Sequence, residues 1–293
     1  FIKRRSCNFC TILNNHFWVI GIAGMMISSC STKFKITEEN GSKKLYNIKY
    51  GDHQQQRMDV FLPANTSPET RVVMIVHGGG WKFGHKEHMK MIQDFLFSNN
   101  IASININYRL LRKNINYLHQ VEDISKAISK SNEMAESWNL KPSNYILLGE
   151  SAGGHLSLLY GYQNPQEIKK LISMSSPTDF YSESYQKSKY YKRTKGVFQK
   201  VVGEKFDHQL EAFKKASPIA HVSNIPTLIF QGDRDFLVNK NQGLALDAVL
   251  TSKKIPHQLV YMKNSGHVPR FVKRKRDSFI FPNILAFIKN DHH

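Results

Sequence analysis

Ser151 stands in Gly149-Glu150-Ser151-Ala152-Gly153, a G-x-S-x-G run between an apolar stretch at 145–148 and a helical pattern at 152–162. Upstream, His77-Gly78-Gly79-Gly80-Trp81 follows the β-branched run at 71–76. Downstream, Gly232-Asp233-Arg234-Asp235 follows the apolar run 227–230, and Asn264-Ser265-Gly266-His267 lies just past 258–261. A hydroxyl, an imidazole, a carboxylate and a glycine loop with bare amides are together the parts needed for nucleophilic attack on a carbonyl.

The physical reasons are specific. A serine hydroxyl is a poor nucleophile unless a base takes its proton, and an acid must fix that base's tautomer and stabilise its positive charge. The turn from strand to helix is strained, so flanking glycines let the backbone pass closely, and the helix N-terminus points amides at developing negative charge. Glycines after 71–76 let main-chain amides approach a substrate oxygen. Each pre-aimed donor lowers the barrier to a tetrahedral oxyanion by about 3 to 4 kcal/mol. G-x-S-x-G alone is a weak signal; its placement between strand and helix, and the H-G-G-G-W run, make it a strong one.

The elements that must position these residues alternate at α/β intervals. Residues 45–50 and 58–62 read as two strands, a hairpin. Runs at 71–76, 101–108, 145–148, 170–174, 227–230 and 258–261 read as strands, and 86–98, 117–138, 152–162, 244–250 and 279–288 as helices. In 117–138, Val121, Ile124, Ile128 and Ala135 fall near one helical face. Strands this apolar, separated by helices, predict a mostly parallel sheet covered on both faces. From 181 to 215 the pattern lapses into a polar Tyr- and Lys-rich stretch, read as an insertion over the top of the sheet.

With the order Ser, Asp, His, the chain resembles the α/β-hydrolase superfamily, in the HGGG-bearing esterase branch that includes hormone-sensitive-lipase-like and small polysaccharide-esterase-like enzymes. The resemblance runs from about 45 to 288 and includes Met58 to Pro63 (MDVFLP), Asn107 to Leu110 (NYRL), Gly149 to His155 (GESAGGH), Ser217 to Ile219 and Pro226 to Val238 (PTLIFQGDRDFLV). It implies an α/β-hydrolase fold with a short cap insertion. It also implies a serine carboxylesterase acting through an acyl-enzyme, on acetyl or feruloyl esters of carbohydrates. By the same resemblance Gly79, Gly80 and Ala152 supply the oxyanion amides, and G-x-x-D-x-x-V places the acid at Asp235, with Gly232 and Val238 in register. Ser151 and His267 complete the catalytic set, with no metal or organic cofactor.

Alternatives remain at this level. Asp233 and Asp179 are rival acids, and His257 a rival base. His77 is read as a brace for the glycine loop, Glu150 and His155 as local hydrogen-bonding groups, and Trp81 as acyl-pocket wall or core cover. A serine peptidase or amidase of the same fold, and a non-catalytic binding protein, are the competing functions.

The first thirty residues carry a different signal. Lys3, Arg4 and Arg5 precede an apolar run at 17–27, then Ser28, Ser29 and Cys30. That is the layout of an export signal, and Ile27-Ser28-Ser29-Cys30 resembles a bacterial lipobox. The expectation is a signal peptide at 1–29, a lipidated Cys30 with a polar tether to about 44, and a hydrolase domain at 45–293. The protein would then be an exported, membrane-anchored lipoprotein. Cys7, Cys10 and Cys30 are all the cysteines, so the body has no disulfide framework, and Cys7-x-x-Cys10 has no partner pair for a metal. The chain of 293 residues has 41 basic and 23 acidic side chains, a formal charge of +18, with 41% hydrophobic and 22% charged residues. This excludes a mainly disordered or polytopic membrane chain. The basic residues are scattered apart from the leader and 270–276 (RFVKRKR), and no nucleic-acid-binding signature accompanies them. They are read as a solvated surface.

Overall fold

A computed structural model describes residues 34–141 and 145–290. Its centre is a nine-stranded sheet in the order β1-β2-β3-β5-β4-β6-β7-β8-β9. The strands are β1 (Lys35–Glu39), β2 (Ser42–Lys49), β3 (Arg57–Leu62), β4 (Val72–Val76), β5 (Ala102–Ile106), β6 (Tyr145–Glu150), β7 (Ile168–Met174), β8 (Thr227–Gly232) and β9 (His257–Met262). Strands β1, β2, β3 and β5 pair antiparallel, and β5, β4, β6, β7, β8 and β9 run parallel.

The period of two along each central strand divides the core. In β4, Val72, Met74 and Val76 join the core on the side of α2 (Tyr117–Met134), α3 (Ala152–Gln163) and α7 (Asn241–Ser252). Val73 and Ile75 join the other side, with α1 (Lys90–Ser98) and α8 (Phe281–Lys289). A sheet buried on both faces explains why VVMIV reads as an unbroken apolar run. Helix α2 turns Ile124 and Ile128 inward, as its spacing predicts. The expected mostly parallel, two-face-covered α/β-hydrolase architecture is the observed one.

Two expectations change. The polar tether to about residue 44 is, over its described part, an edge hairpin: β1 pairs with β2 from Lys35↔Tyr46 to Glu39↔Ser42. Its turn is Asn40-Gly41, with φ of 49° and 77°, the Asn-Gly pair whose left-handed backbone matches the twist of a two-residue hairpin. All of β1 is exposed, so the charged residues of KITEE mark an edge strand, not an unstructured linker.

The insertion at 181–215 is helical: α4 (Glu183–Lys187), α5 (Lys189–Val202) and α6 (Leu210–Lys215). The side chains of Ser182 and Ser188 cap α4 and α5 by accepting from the amides of Tyr185 and Tyr191. Gly203 ends α5 in the left-handed conformation. Tyr190, Thr194, Phe198, Val201 and Val202 face inward, while the lysines that hid the pattern face out. The predicted leader, tether start and Cys30 lie outside the described residues. Among the described residues no helix is long and apolar enough to cross a membrane, and no His, Cys, Asp and Glu cluster could hold a metal.

Candidate active site

Ser151 sits between β6 and α3 with φ 53° and ψ −118°, a strained region for a side-chain-bearing residue. The glycines around it are there because nothing larger fits. A Cβ on Gly149 would lie 2.4 Å from the Gly153 carbonyl oxygen, and one on Gly153 would lie 2.3 Å from those of Val76 and His77. The elbow amide of Ser151 donates to Met174 O at 2.8 Å, tying it to the end of β7. Ala152 is the first residue of α3, so its amide has no acceptor within the helix.

The H-G-G-G-W loop leaves β4 and runs against this elbow. A Cβ on Gly78 would meet Glu150 O at 3.0 Å and Ser151 Cβ at 3.3 Å. Gly79 and Gly80 have φ of 122° and 57°. Gly79 cannot carry a side chain, since its Cβ would fall 2.1 Å from Phe83 O, whereas nothing lies within 4 Å of a Cβ on Gly80.

The loop is braced from below by the N-Y-R-L segment and α2. Tyr108 donates its hydroxyl to His77 O at 2.9 Å. Leu111 N and Gln120 Nε2 each donate to Trp81 O at 2.8 Å. His77 stacks on Tyr108 with ring centroids 4.3 Å apart, and its Nδ1 bonds Gly78 O at 2.7 Å. It is a buried brace. Trp81 is buried too: its Nε1 donates to His155 Nδ1 at 3.1 Å, and its ring meets Phe180 and Phe198 edge-on. It covers the core beneath the insertion. His155 in turn bonds Ala216 O through Nε2 at 2.8 Å, so one imidazole joins the glycine loop, α3 and the insertion's end.

His267 and Asp235 meet beyond the ends of β9 and β8. His267 Nδ1 lies 2.8 Å from Asp235 Oδ2, and the Asp235 side chain is fully buried. The other carboxylate oxygen, Oδ1, accepts from Leu237 N at 3.0 Å and Val238 N at 2.9 Å. With Nδ1 engaged, Nε2 is the nitrogen left to exchange a proton. Asp233 instead ties two loops together. Its Oδ1 accepts from Ser265 N at 3.1 Å, and Arg234 N donates to Ser265 O at 3.0 Å. Desolvation raises the Asp233 carboxyl, but the amides of Asn264 and Ser265 outweigh it and hold it below the ordinary carboxylate range. Gly232 lets the two loops touch, since a Cβ there would meet Ser265 O at 2.4 Å.

The other rivals are engaged in local hydrogen bonds away from Asp235 and His267. Asp179 Oδ1 caps the turn into the insertion, accepting from Tyr181 N at 3.0 Å and Ser182 N at 2.9 Å. His257 bonds Ile255 O at 2.8 Å and lies 3.2 Å from Asp247.

Sequence reading missed the contact that ties the histidine loop to the elbow. Arg270, three residues after His267, is only 2% exposed and forms a bidentate ion pair with Glu150, the residue preceding Ser151. A fork of this kind fixes geometry as well as charge. Lys275 donates to Lys263 O at 2.6 Å and Ser265 Oγ at 2.7 Å, holding the start of the same loop. The basic run 270–276 is therefore partly an internal clamp, not solely a solvated surface. Its one sequence clue is its closeness to His267.

Burial also sets a pH dependence. Desolvation pushes both His77 and His155 down to about 4, against the opposing hydrogen bonds to Gly78 and Ala216. Unfolded imidazoles titrate near 6.5, so below that pH the unfolded chain binds protons that the folded chain refuses. Stability should be full above about pH 6.5 and fall as pH drops toward 4, by on the order of 2 kcal/mol per histidine at pH 5. Thermal melts from pH 7 to 4.5 check this. A His155→Gln variant should show a shallower slope, and an unchanged melting temperature across that window in the parent would refute the burial argument.

Comparison with known proteins agrees with this architecture. The shared sequence pattern of the BD-FAE family matches residues 58–250. An acetylxylan esterase of Xylanibacter ruminicola is 29% identical over 140 residues, covering 47% of this chain and 28% of that protein. The isoprenylcysteine α-carbonyl methylesterase of Arabidopsis thaliana is 22% identical over 263 residues, 83% of this chain and 61% of its own length. The chain thus spans less than two thirds of the length of either relative. Among solved structures, a truncated carbohydrate esterase from gut microbiota superposes with a TM-score of 0.72 at 20% identity, covering 87% of this chain and 98% of that one. The matched span takes in the glycine loop, the serine elbow and the aspartate loop, on the α/β-hydrolase fold that the strand order displays: the chain belongs to the BD-FAE family.

Proposed function

We propose that the protein is a serine carboxylesterase, with Ser151 as nucleophile, His267 as base, Asp235 as its orienting acid, and the amides of Gly79, Gly80 and Ala152 as the oxyanion hole. The observation that supports this most is the pairing of His267 Nδ1 with a buried Asp235 at 2.8 Å, at the same end of the sheet as the strained elbow of Ser151. Ser151 Oγ attacks the ester carbonyl carbon as His267 Nε2 takes the hydroxyl proton. The carbonyl oxygen becomes the oxyanion and is held by the three amides. As the oxyanion collapses, the bond to the leaving oxygen breaks, and that oxygen takes the proton from His267 and departs as an alcohol. Water then attacks the acyl-enzyme with His267 again as base, releasing the acid and restoring Ser151.

Carbohydrate acyl esters are the favoured substrates, in line with the acetylxylan esterase and carbohydrate esterase among the similar proteins. A series of nitrophenyl esters of increasing acyl length, beside acetylated and feruloylated oligosaccharides, tests this. Short acyl and sugar esters should give the highest kcat/KM. Higher turnover of long-chain acyl esters or of peptide amides would point to a lipase or an amidase instead.

The leader supports a second element of the reading: export and lipidation at Cys30, which would place the enzyme on a membrane surface. Cys30→Ser should turn a salt-resistant membrane protein into a precursor or released form that keeps its esterase activity. Wild-type protein that washes free in high salt without a modified N-terminus would refute it. Electrostatic attachment alone is screened within about 10 Å at 0.1 M salt.

A further inference from the structure

A cavity of about 1090 Å³ opens where the glycine loop ends. It is lined by Lys82, Arg112, Lys113, Lys200 and Lys205, with Glu204 as its only acid. These five cations come from three separate segments: the loop after Trp81, the turn closed by the Arg112↔Ile115 bridge, and the C-terminal end of α5 with the residues that follow. All five are exposed. A second cavity of about 490 Å³ offers a contrast, because its three cations, Arg109, Lys126 and Lys130, share the lining with two acids, Asp52 and Glu133.

Lys82 is two residues beyond Gly80, so their Cα atoms are at most about 7.6 Å apart. One end of the basic groove is therefore next to the proposed oxyanion loop. Gly196 adds an independent sign. It lies inside α5 and lines the groove, where glycine costs about 1 kcal/mol relative to alanine. A Cβ there would meet nothing within 4 Å, so internal packing does not demand the glycine. It leaves bare backbone on the groove wall. Among the non-ionic lining residues only Leu111 is a large apolar one, which argues against a fatty acyl chain as occupant.

We infer that this groove receives the negatively charged part of the substrate, an oligosaccharide bearing uronate carboxylates whose ester group lies over Ser151. The inference rests on the esterase reading above. Like-signed groups lining one cleft focus the field and raise the local concentration of an oppositely charged ligand. Carboxylates repeated along a sugar chain would meet cations from all three segments, whereas a neutral xylan-type chain would gain nothing from them. A flat anionic bilayer cannot enter a concave groove as a flexible sugar chain can.

Binding to Ser151→Ala protein tests the inference without requiring turnover, with oligogalacturonate as the acidic probe and xylohexaose as the neutral one. Oligogalacturonate should bind at least tenfold more tightly at 0.1 M salt and lose at least tenfold at 1 M, where the screening length falls to about 3 Å. Lys113→Glu combined with Lys200→Glu should weaken it at least tenfold. The same charge change at the opposite end of the sheet, Lys254→Glu ahead of β9 with Lys289→Glu beside Arg71 and Ile101 at the starts of β4 and β5, should weaken it less than about twofold. Lys113→Gln with Lys200→Gln, expected to weaken binding severalfold, guards against misfolding of the charge-reversed protein. Equal binding of both probes, equal weakening by near and far pairs, or tighter groove-dependent binding of duplex DNA than of the oligouronate would each overturn the inference. A protein that binds oligouronate yet hydrolyses no ester would refute the esterase reading and leave the groove assignment standing. An active esterase indifferent to uronate would do the reverse.

Discussion

Replacing Ser151 by alanine is expected to lower kcat/KM for a nitrophenyl ester by at least about 10⁴-fold, because the attacking atom itself is removed. The substitution takes one hydroxyl from a position whose backbone is already set by Gly149, Gly153 and the Ser151 N to Met174 O bond. The fold should therefore persist, with a melting temperature close to that of the parent. Residual turnover above the solution rate would report the oxyanion amides acting alone. Retention of more than about a tenth of the parent activity would remove Ser151 from the mechanism.

The second large effect separates two aspartates only two residues apart. In Asp235→Asn, the two amides of Leu237 and Val238 that now face Oδ1 would hold the new carbonyl oxygen. The new NH2 group is then forced toward His267 Nδ1, where Oδ2 accepts in the parent. His267 could satisfy it only by accepting at Nδ1, which moves its proton to Nε2 and leaves no lone pair for the serine proton. A loss of about 10⁴-fold in kcat is the scale of that tautomer error in other serine hydrolases. Asp233→Asn keeps an oxygen for Ser265 N and should change kcat less than about threefold. Parallel kinetics on the two variants decide the matter, and the reverse ranking would move the acid to Asp233.

How much of the molecule is legible in its sequence differs by residue for physical reasons. Strand β4 is the most readable because it is buried on both faces, which leaves VVMIV apolar throughout, whereas β5 is equally buried but carries Ser103 and Asn105 inside. The elbow and glycine loop are readable because close backbone passage admits only glycine, at Gly149, Gly153 and Gly79. Strand β1 is not, since an edge strand exposed along its whole length carries no hydrophobic alternation. Its one local signal is Asn40-Gly41. Helix α5 is obscured because its outward lysines dominate the composition, although Tyr190, Thr194, Phe198 and Val202 keep one face apolar or buried. The ion pair of Arg270 with Glu150 is out of reach. It joins residues 120 positions apart, and nothing in a basic run says which member turns inward. The choices between Trp81 as pocket wall or core cover, and between Asp235 and Asp233, need side-chain partners that only the folded chain supplies.

The central claim is that Ser151 is an activated nucleophile, and the most direct measurement of it is covalent labelling by a fluorophosphonate. Such a probe is attacked by the serine Oγ and expels fluoride, leaving a stable phosphonyl adduct. The folded protein should take up one equivalent, located by peptide mass spectrometry to Ser151, with uptake abolished in Ser151→Ala and severely slowed in Asp235→Asn. Folded protein that remains unlabelled, or that is labelled at a serine other than Ser151, would contradict the account.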